Sequence, residues 1–325
     1  MPVVRRDVLR YVAAALSLPA LARIAAAQAY PSRPVRIVVG FPAGGPVDIA
    51  ARVIGPWLAE RLGQPFVVEN RPGESGNLAT REVVRAAPDG HTLLLCGPVN
   101  TINTTLFPGL DFDFTRDVAP VAGLSRVPLV VEVHPSLPAR SVPEFLALAR
   151  ARPGAIKVAF AGRGTPQHVG IELFKMMAGV DLTLVPYLGS SPALADLLDG
   201  RVDAMFDPLP SSIASIRAGR LIPLAVTTPE PSAALPEVPA MSRFVPGYEA
   251  GSWFGLVAPK GTPAEIVSRL DGAVRTGLAD VRLKERLADM GAMPLALSAD
   301  AFARFIAFET ARYGEVVRAA GIRAQ

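Results

Sequence analysis

Val35-Arg36-Ile37-Val38-Val39-Gly40, running directly into Phe41-Pro42-Ala43-Gly44-Gly45-Pro46-Val47-Asp48, decides the fold. The first part is a β-branched run that ends at a glycine, the pattern of a buried strand. The second is a turn rich in glycine and proline. Asp48 then opens a helical pattern through Ile49, Val53, Trp57, Leu58 and Leu62, closed by Gly63. Working outward, Pro65 to Glu69 reads as a second strand and Asn70-Arg71-Pro72-Gly73 as a turn. Asn77 to Ala87 suits a helix, and Thr92 to Cys96 a third strand. Strands separated by helices pair in parallel, so this is an α/β sheet.

A second set follows. Pro128 to Val133, Ile156 to Phe160, Leu182 to Pro186 and Val202 to Phe206 read as strands. Helical patterns separate them: one capped by Ser141, then Gln167 to Met177, Pro192 to Leu198 and Ser211 to Ala218. Pro229 to Pro246 is proline-rich and irregular. Trp253 to Ala258 is a further strand, and two long helices, Pro263–Gly277 and Ala299–Gly321, finish the chain. The expected organisation is two α/β lobes with crossings near 128–133 and 250–258. The first lobe then comprises 30–127 and 250–325, and the second 128–249.

The start of the chain reads as an export signal. Arg5, Arg6 and Arg10 precede an apolar stretch from Val12 to Ala22, and Ala27-Gln28-Ala29 is a small-x-small cleavage site. The stretch is too short for a bilayer, which needs about 20 apolar residues. Arg5-Arg6 and Arg23 leave the twin-arginine route open beside the general one, and an uncleaved anchor is the alternative. The whole chain has a net charge of +4, but removing 1–29 leaves 29 basic and 28 acidic residues. The basic excess therefore belongs to the signal and gives no ground for nucleic-acid binding. Hydrophobic residues at 50% allow a large core. Cys96, the single cysteine, lies in an apolar strand, so no internal disulfide forms and a buried, inert thiol is expected.

The Phe41–Asp48 segment has a counterpart in Phe160-Ala161-Gly162-Arg163-Gly164-Thr165-Pro166-Gln167-His168. Each follows a strand and opens a helix. Free first-turn N–H groups and the positive end of the helix dipole favour an anion. Two such starts facing each other could clamp a carboxylate; two ordinary turns are the plainer alternative. Neither is a phosphate loop, because no Gly-Lys-Ser/Thr follows. The chain has no Gly-x-Ser-x-Gly and no His-x-x-x-His, which argues against an esterase and against a metal site. Asp48 reads as an N-cap that could also orient site water. Asp207 could meet ligand or cap the helix near Ser211. His91 and His134 read as turn and loop residues, Arg71 as a tie between loops, and Trp253-Phe254 as hinge packing.

The ordered set of motifs carries a resemblance. Phe41 to Asp48, Val67-Val68-Glu69-Asn70-Arg71-Pro72-Gly73, Ala87 to Leu94 and Val185-Pro186-Tyr187 come first. Gly189-Ser190-Ser191-Pro192-Ala193, Asp203 to Asp207 and Ser252-Trp253-Phe254-Gly255 follow. Together they resemble the Bug, or tripartite tricarboxylate transporter receptor, family. That resemblance implies a two-lobed Venus-flytrap fold, type II periplasmic-binding-protein-like, with the ligand cleft between the lobes. It implies a periplasmic receptor for a small organic carboxylate, monomeric, with no cofactor or metal. Membrane transporter subunits or a sensor kinase would be the partner. The matching site positions are Phe41, Ala43, Gly44, Gly45 and Asp48, then Ala161, Gly162, Arg163, Gly164, Thr165 and His168, and finally Asp207. Glu74, Ser75, Leu188, Pro208 and Arg163 depart from the family pattern and leave the ligand class open. Arg163, between two glycines of the second loop, either pairs with a second acidic group on the ligand or points to solvent at the cleft rim.

Overall fold

The computed structural model describes residues 30–323, so the export signal lies outside the described residues. The strands are β1 (Val35–Val39), β2 (Phe66–Asn70), β3 (Thr92–Cys96), β4 (Val118–Val133), β5 (Lys157–Phe160), β6 (Thr183–Pro186), β7 (Ala204–Pro208), β8 (Ile222–Val226), β9 (Gly251–Pro259) and β10 (Met293–Pro294). The helices are α1 (Pro46–Leu62), α2 (Asn77–Val84), α3 (Pro98–Leu106), α4 (Phe114–Asp117), α5 (Val142–Ala151), α6 (Pro166–Ala178), α7 (Ser190–Leu198), α8 (Leu209–Arg217), α9 (Ala264–Ala279), α10 (Val281–Asp289) and α11 (Ala299–Ala319).

The strands run in the order β2-β1-β3-β9-β4-β7-β5-β6, with β8 and β10 also paired to β4. The expected parallel pairings hold: β1 is parallel to β2 and β3, and β5 to β6 and β7. Helices cover both faces, so the central strands are mostly apolar, as in β3 (Thr92–Cys96), while charged residues such as Arg36, Glu69 and Lys157 sit on strands nearer the edges. In the first lobe Ile37 and Val39 face one core with Trp57, Leu93 and Leu256, while Val38 faces another with Trp253 and Phe302. The second lobe repeats the plan around Val131, Phe174 and Phe206 on one face and Met205 and Leu209 on the other.

β4 ties the lobes together. Its first part pairs with β9 from Val118 to Pro128, and its last residues pair with β7 and β8 from Leu129 onward. At the changeover the buried Thr227 hydroxyl bonds the carbonyls of Leu129 and Ala250, and it receives the Leu129 N–H at 2.9 Å. At Pro128–Leu129 β4 thus exchanges its partner β9 for β7 and β8.

Several elements differ from expectation. β4 is far longer than Pro128 to Val133, because Pro120 and Gly123 sit at register shifts against β9 rather than ending the strand. β8 was not expected, nor was α3. Three helices, not two, finish the chain: Asp280 ends α9 and caps α10, its side chain accepting the Arg282 N–H at 2.9 Å. His91 is buried rather than a surface turn residue. Its ring meets Tyr30 edge-on at 5.2 Å, and its Nε2 receives the Ser32 N–H at 3.4 Å.

Candidate functional site

Five strand ends deliver their helices to one cleft. Gly45, Gly97 and Thr165 each hold extended backbone at an N-cap, and each is followed by proline at the first helical position: Pro46, Pro98 and Pro166. Proline suits that position because it lacks an N–H that would otherwise be unpaired. α7 and α8 start beside them at Ser190 and Leu209. The first lobe lines the cavity with Phe41, Pro46, Val47, Pro98, Val99 and Phe254. The second lines it with Ala161, Thr165, Pro166, Gln167, Ser190 and Pro208. Among the described residues no ionisable side chain belongs to this wall.

The first-turn amides of Val47, Val99, Gln167 and Ser190 have no hydrogen-bond partner among the described residues. All four residues line the cavity. Two come from each lobe, and each carries the partial positive charge of a helix start.

The first loop is braced from behind. Asp48 is 2% exposed and is not the N-cap, a place Gly45 takes. Its carboxylate accepts the Gly44 N–H at 2.9 Å, Arg52 Nε at 2.8 Å and Asn70 Nδ2 at 2.9 Å. Asn70 also holds the Phe41 carbonyl at 3.0 Å. Burial alone would raise the Asp48 pKa, but Arg52, the Gly44 N–H and Asn70 together hold it below the usual carboxylate range. The short acidic side chain thus fixes the loop's shape. A first-turn acid reads as an N-cap in sequence, because either position favours a carboxylate near the free amides.

The second loop is braced by His168. Its ring stacks on Phe160 at 4.9 Å and its Nδ1 receives the Gly164 N–H at 3.3 Å. Thr165 caps α6, accepting the His168 N–H at 3.3 Å and donating to the Gly162 carbonyl at 2.7 Å. Burial, then the charges of Arg163 and Lys175, push His168 down from 6.5 to about 4, so it is neutral at pH 7. His168 and Asp207 do not join the cavity wall. Asp207 is completely buried behind it. Arg163 is exposed and lines a separate hollow of about 390 Å³ with Glu74, Ser75, Asn77, Phe107 and Leu110. It forms no ion pair among the described residues, so the expected charge clamp does not face the cavity. Its place between Gly162 at φ 98° and Gly164 at φ 73° turns its side chain outward with the loop.

Sequence reasoning missed the β3–α3 turn, Gln167 as a wall residue, and Ser190. A signal existed: Gly97-Pro98 repeats the Gly45-Pro46 pair after a strand, and Val99, Ile102 and Leu106 keep helical spacing.

The lobes are closed on each other. Ser191 Oγ donates to the Ala43 carbonyl at 2.7 Å across the cleft. A Cβ on Gly164 would stand 2.5 Å from Asn103 Oδ1 and 2.8 Å from Leu106 Cδ2, both on the opposite lobe. The enclosed space is about 30 Å³, room for roughly two waters. An organic acid therefore needs the lobes slightly further apart than this.

The family model described as "Tripartite tricarboxylate transporter family receptor" matches residues 50–322. The protein BugT of Bordetella pertussis is 36% identical over 301 residues, 91% of this chain and 92% of its own length. The structure "R. palustris Rpa4515 with adipate" superposes with a TM-score of 0.88 at 40% identity, covering 90% of this chain and 99% of that one. The structure of MatC (Rpa3494) from Rhodopseudomonas palustris with bound malate gives 0.83 at 34% identity, covering 89% of this chain and 100% of that one.

Gly164→Ala should weaken acid binding at least tenfold by calorimetry while the circular dichroism spectrum stays that of the parent. The added methyl opposes closure and strains a left-handed residue; unchanged affinity would mean that closure does not seat Gly164 against Asn103. His168 predicts a pH slope. Above pH 6.5 the ring is neutral in folded and unfolded chains alike. Between there and about pH 4 only the unfolded chain takes the proton, so stability falls as pH drops. The total approaches about 3 kcal/mol. Urea unfolding between pH 7 and pH 4.5 should show a shallower decline in His168→Gln; identical slopes would refute a buried neutral ring.

Proposed function

We propose, from the premise that this chain belongs to the tripartite tricarboxylate transporter receptor family, that it captures a small organic carboxylate between its lobes and presents it to a membrane transporter. One observation carries the reading: Val47, Val99, Gln167 and Ser190, whose first-turn amides have no partner among the described residues, all line one cavity that has no cationic side chain. Such a wall stabilises a carboxylate through N–H donors and helix dipoles, without a desolvated lysine or arginine to compensate. The bound adipate and malate of the two structural relatives support an acid as ligand. No histidine lines the cavity, and Cys96 is buried with its thiol pushed far up by desolvation. On this proposal the chain is a receptor without turnover that acts as a monomer.

The lobe boundaries follow the strands: 30–127 with 250–325, and 128–249. The exchange of β4 between partners at Pro128–Leu129 supports that division. Among the described residues no helix is long and apolar enough to cross a membrane. Export with cleavage after Ala29, by either the twin-arginine or the general route, completes the reading. The intact mass of periplasmic protein should correspond to a chain starting at Tyr30; a mass retaining 1–29 would exclude cleavage.

Thermal unfolding against a panel of mono-, di- and tricarboxylates, aromatic acids and amino acids tests the receptor assignment. A cognate acid at about 100 times its Kd should add about 2.7 kcal/mol. No stabilisation by any acid across the panel would remove the assignment.

A further inference from the structure

The cavity sees two polar side chains, Gln167 and Ser190, that are held by a carboxylate it does not see. Asp207 closes β7 with no exposed surface. Its Oδ1 accepts the Ser190 hydroxyl at 2.6 Å and Gln167 Nε2 at 3.3 Å. Its Oδ2 accepts Ser212 at 2.9 Å and also Ser211. Behind it Ser212 lies 2.6 Å from Glu132 Oε1, and the other Glu132 oxygen is buried without a partner. Four donors converge on Asp207 and one contact reaches Glu132. The negative charge therefore belongs on Asp207, and a proton on Glu132, which passes its hydrogen bond to Ser212. Burial and the charge of Asp207 both push the Glu132 carboxyl well above its usual range.

This fixes where the hydrogens are. The single Ser190 hydroxyl proton goes to Asp207. Gln167 Nε2 lies 2.9 Å from Ser190 Oγ and 3.3 Å from Asp207 Oδ1, two atoms themselves 2.6 Å apart, so a single amide hydrogen is shared between them. The reverse amide orientation would aim an oxygen at a carboxylate, so the network decides it. Gln167 Oε1 receives no bond from the described residues and is not sealed off, and Gln167 is a wall residue, so Oε1 is the amide atom open to the cavity. The Thr165 proton is likewise committed to Gly162. The cavity wall thus has unpartnered backbone donors on both lobes, side-chain acceptors on the second, and the hydroxyl of Ser252 on β9, which can donate or accept.

We infer that the acid taken up carries a hydrogen-bond donor, a hydroxyl or an amine, beside its carboxylate, and that Asp207 is the positioning residue that selects it by setting Gln167 and Ser190 as acceptors. This rests on the carboxylate-receptor reading and narrows it. The carboxylate meets the first-turn amides, and the neighbouring donor meets Gln167 Oε1 or Ser190 Oγ. An acid without that donor leaves these acceptors desolvated and unpaired, the arrangement by which a polar site rejects a ligand lacking its hydroxyl.

Calorimetry on the mature chain with two matched series tests it: lactate, alanine, 2-methoxypropionate and propionate; then malate, aspartate, methoxysuccinate and succinate. In the series that binds, a donor-bearing acid should bind at least tenfold tighter than both its methoxy and its unsubstituted analogue. Gln167→Leu should reduce that preference below threefold, the donor-bearing acid losing affinity and the unsubstituted acid gaining, because the acceptor it leaves unpaired is gone. Asp207→Asn should do the same, because an asparagine amide can donate to Gln167 Oε1 and let that amide turn. If Asp207→Asn fails to fold, Gln167→Leu decides alone. Equal affinities within the series, or a full preference kept by Gln167→Leu, overturn the inference and leave the carboxylate receptor standing. Absence of binding by every acid overturns both.

Discussion

Two neighbouring strands carry the chain between its halves, and the rest of the structure depends on that constraint. β4 leaves the first sheet at Pro128 and enters the second at Leu129, while β9 begins at Gly251 beside it. The Thr227 hydroxyl bonds both chains at that point. Relative lobe motion must pass through these few residues, so it is a rotation about a short pair of strands rather than a free swing. The last helix steadies the first-lobe side. Glu309 accepts the Trp253 indole N–H at 3.0 Å, and Tyr313 reaches the Gly251 carbonyl at 3.4 Å. With the hinge fixed, the loops at the strand ends can meet in only one way.

Those loops build a binding surface from backbone and keep the charged side chains behind it. Asp48 and Asp207 are both buried acids that shape a loop or aim a side chain rather than face the cavity. A bare carboxylate in the wall would repel the carboxylate it is meant to hold. Set one layer back and saturated with donors, it rigidifies the wall and determines which atoms remain free. The cost is burial of charge, offset at Asp48 by Arg52, Asn70 and Gly44, and at Asp207 by three serines and Gln167.

The alternation of strands and helices was legible because buried parallel strands are mostly apolar and their helices start and stop at glycine and proline. Ile37 and Leu94 needed no tertiary information. What stayed hidden had its pattern overridden by context. Pro120 and Gly123 would break an isolated strand, but here they occupy irregularities in a long antiparallel pair. α3 is rich in asparagine and threonine, and its side-chain amides donate within the protein, Asn100 to Thr80 and Asn103 to Asn77, while Asn103 Oδ1 stays without a partner. For the site, sequence could not give side-chain direction. Arg163 and His168 are five residues apart in one segment, yet one points to solvent and the other packs on Phe160. The left-handed turns at Gly162 and Gly164 decide this, and they are properties of the folded loop.

Closure and recognition are then one event. Apolar contacts across the cleft include Val169 against Ile102, Leu106 and Tyr313, and Leu209 against Gly291. Beside them lie first-turn amides with no protein acceptor and the buried, unpartnered Asn103 Oδ1 next to Gly164. Each polar group removed from water without a partner costs about 1–3 kcal/mol. Several such groups together oppose shutting the cleft over nothing. A carboxylate supplies acceptors to amides of both lobes at once, and its contribution exists only when the lobes are together. A ligand shifts an equilibrium by as much as its affinity differs between the two states. Because the donors are divided between the lobes, almost all of the binding free energy here is of that differential kind, which is what a receptor needs if a transporter is to recognise its loaded form.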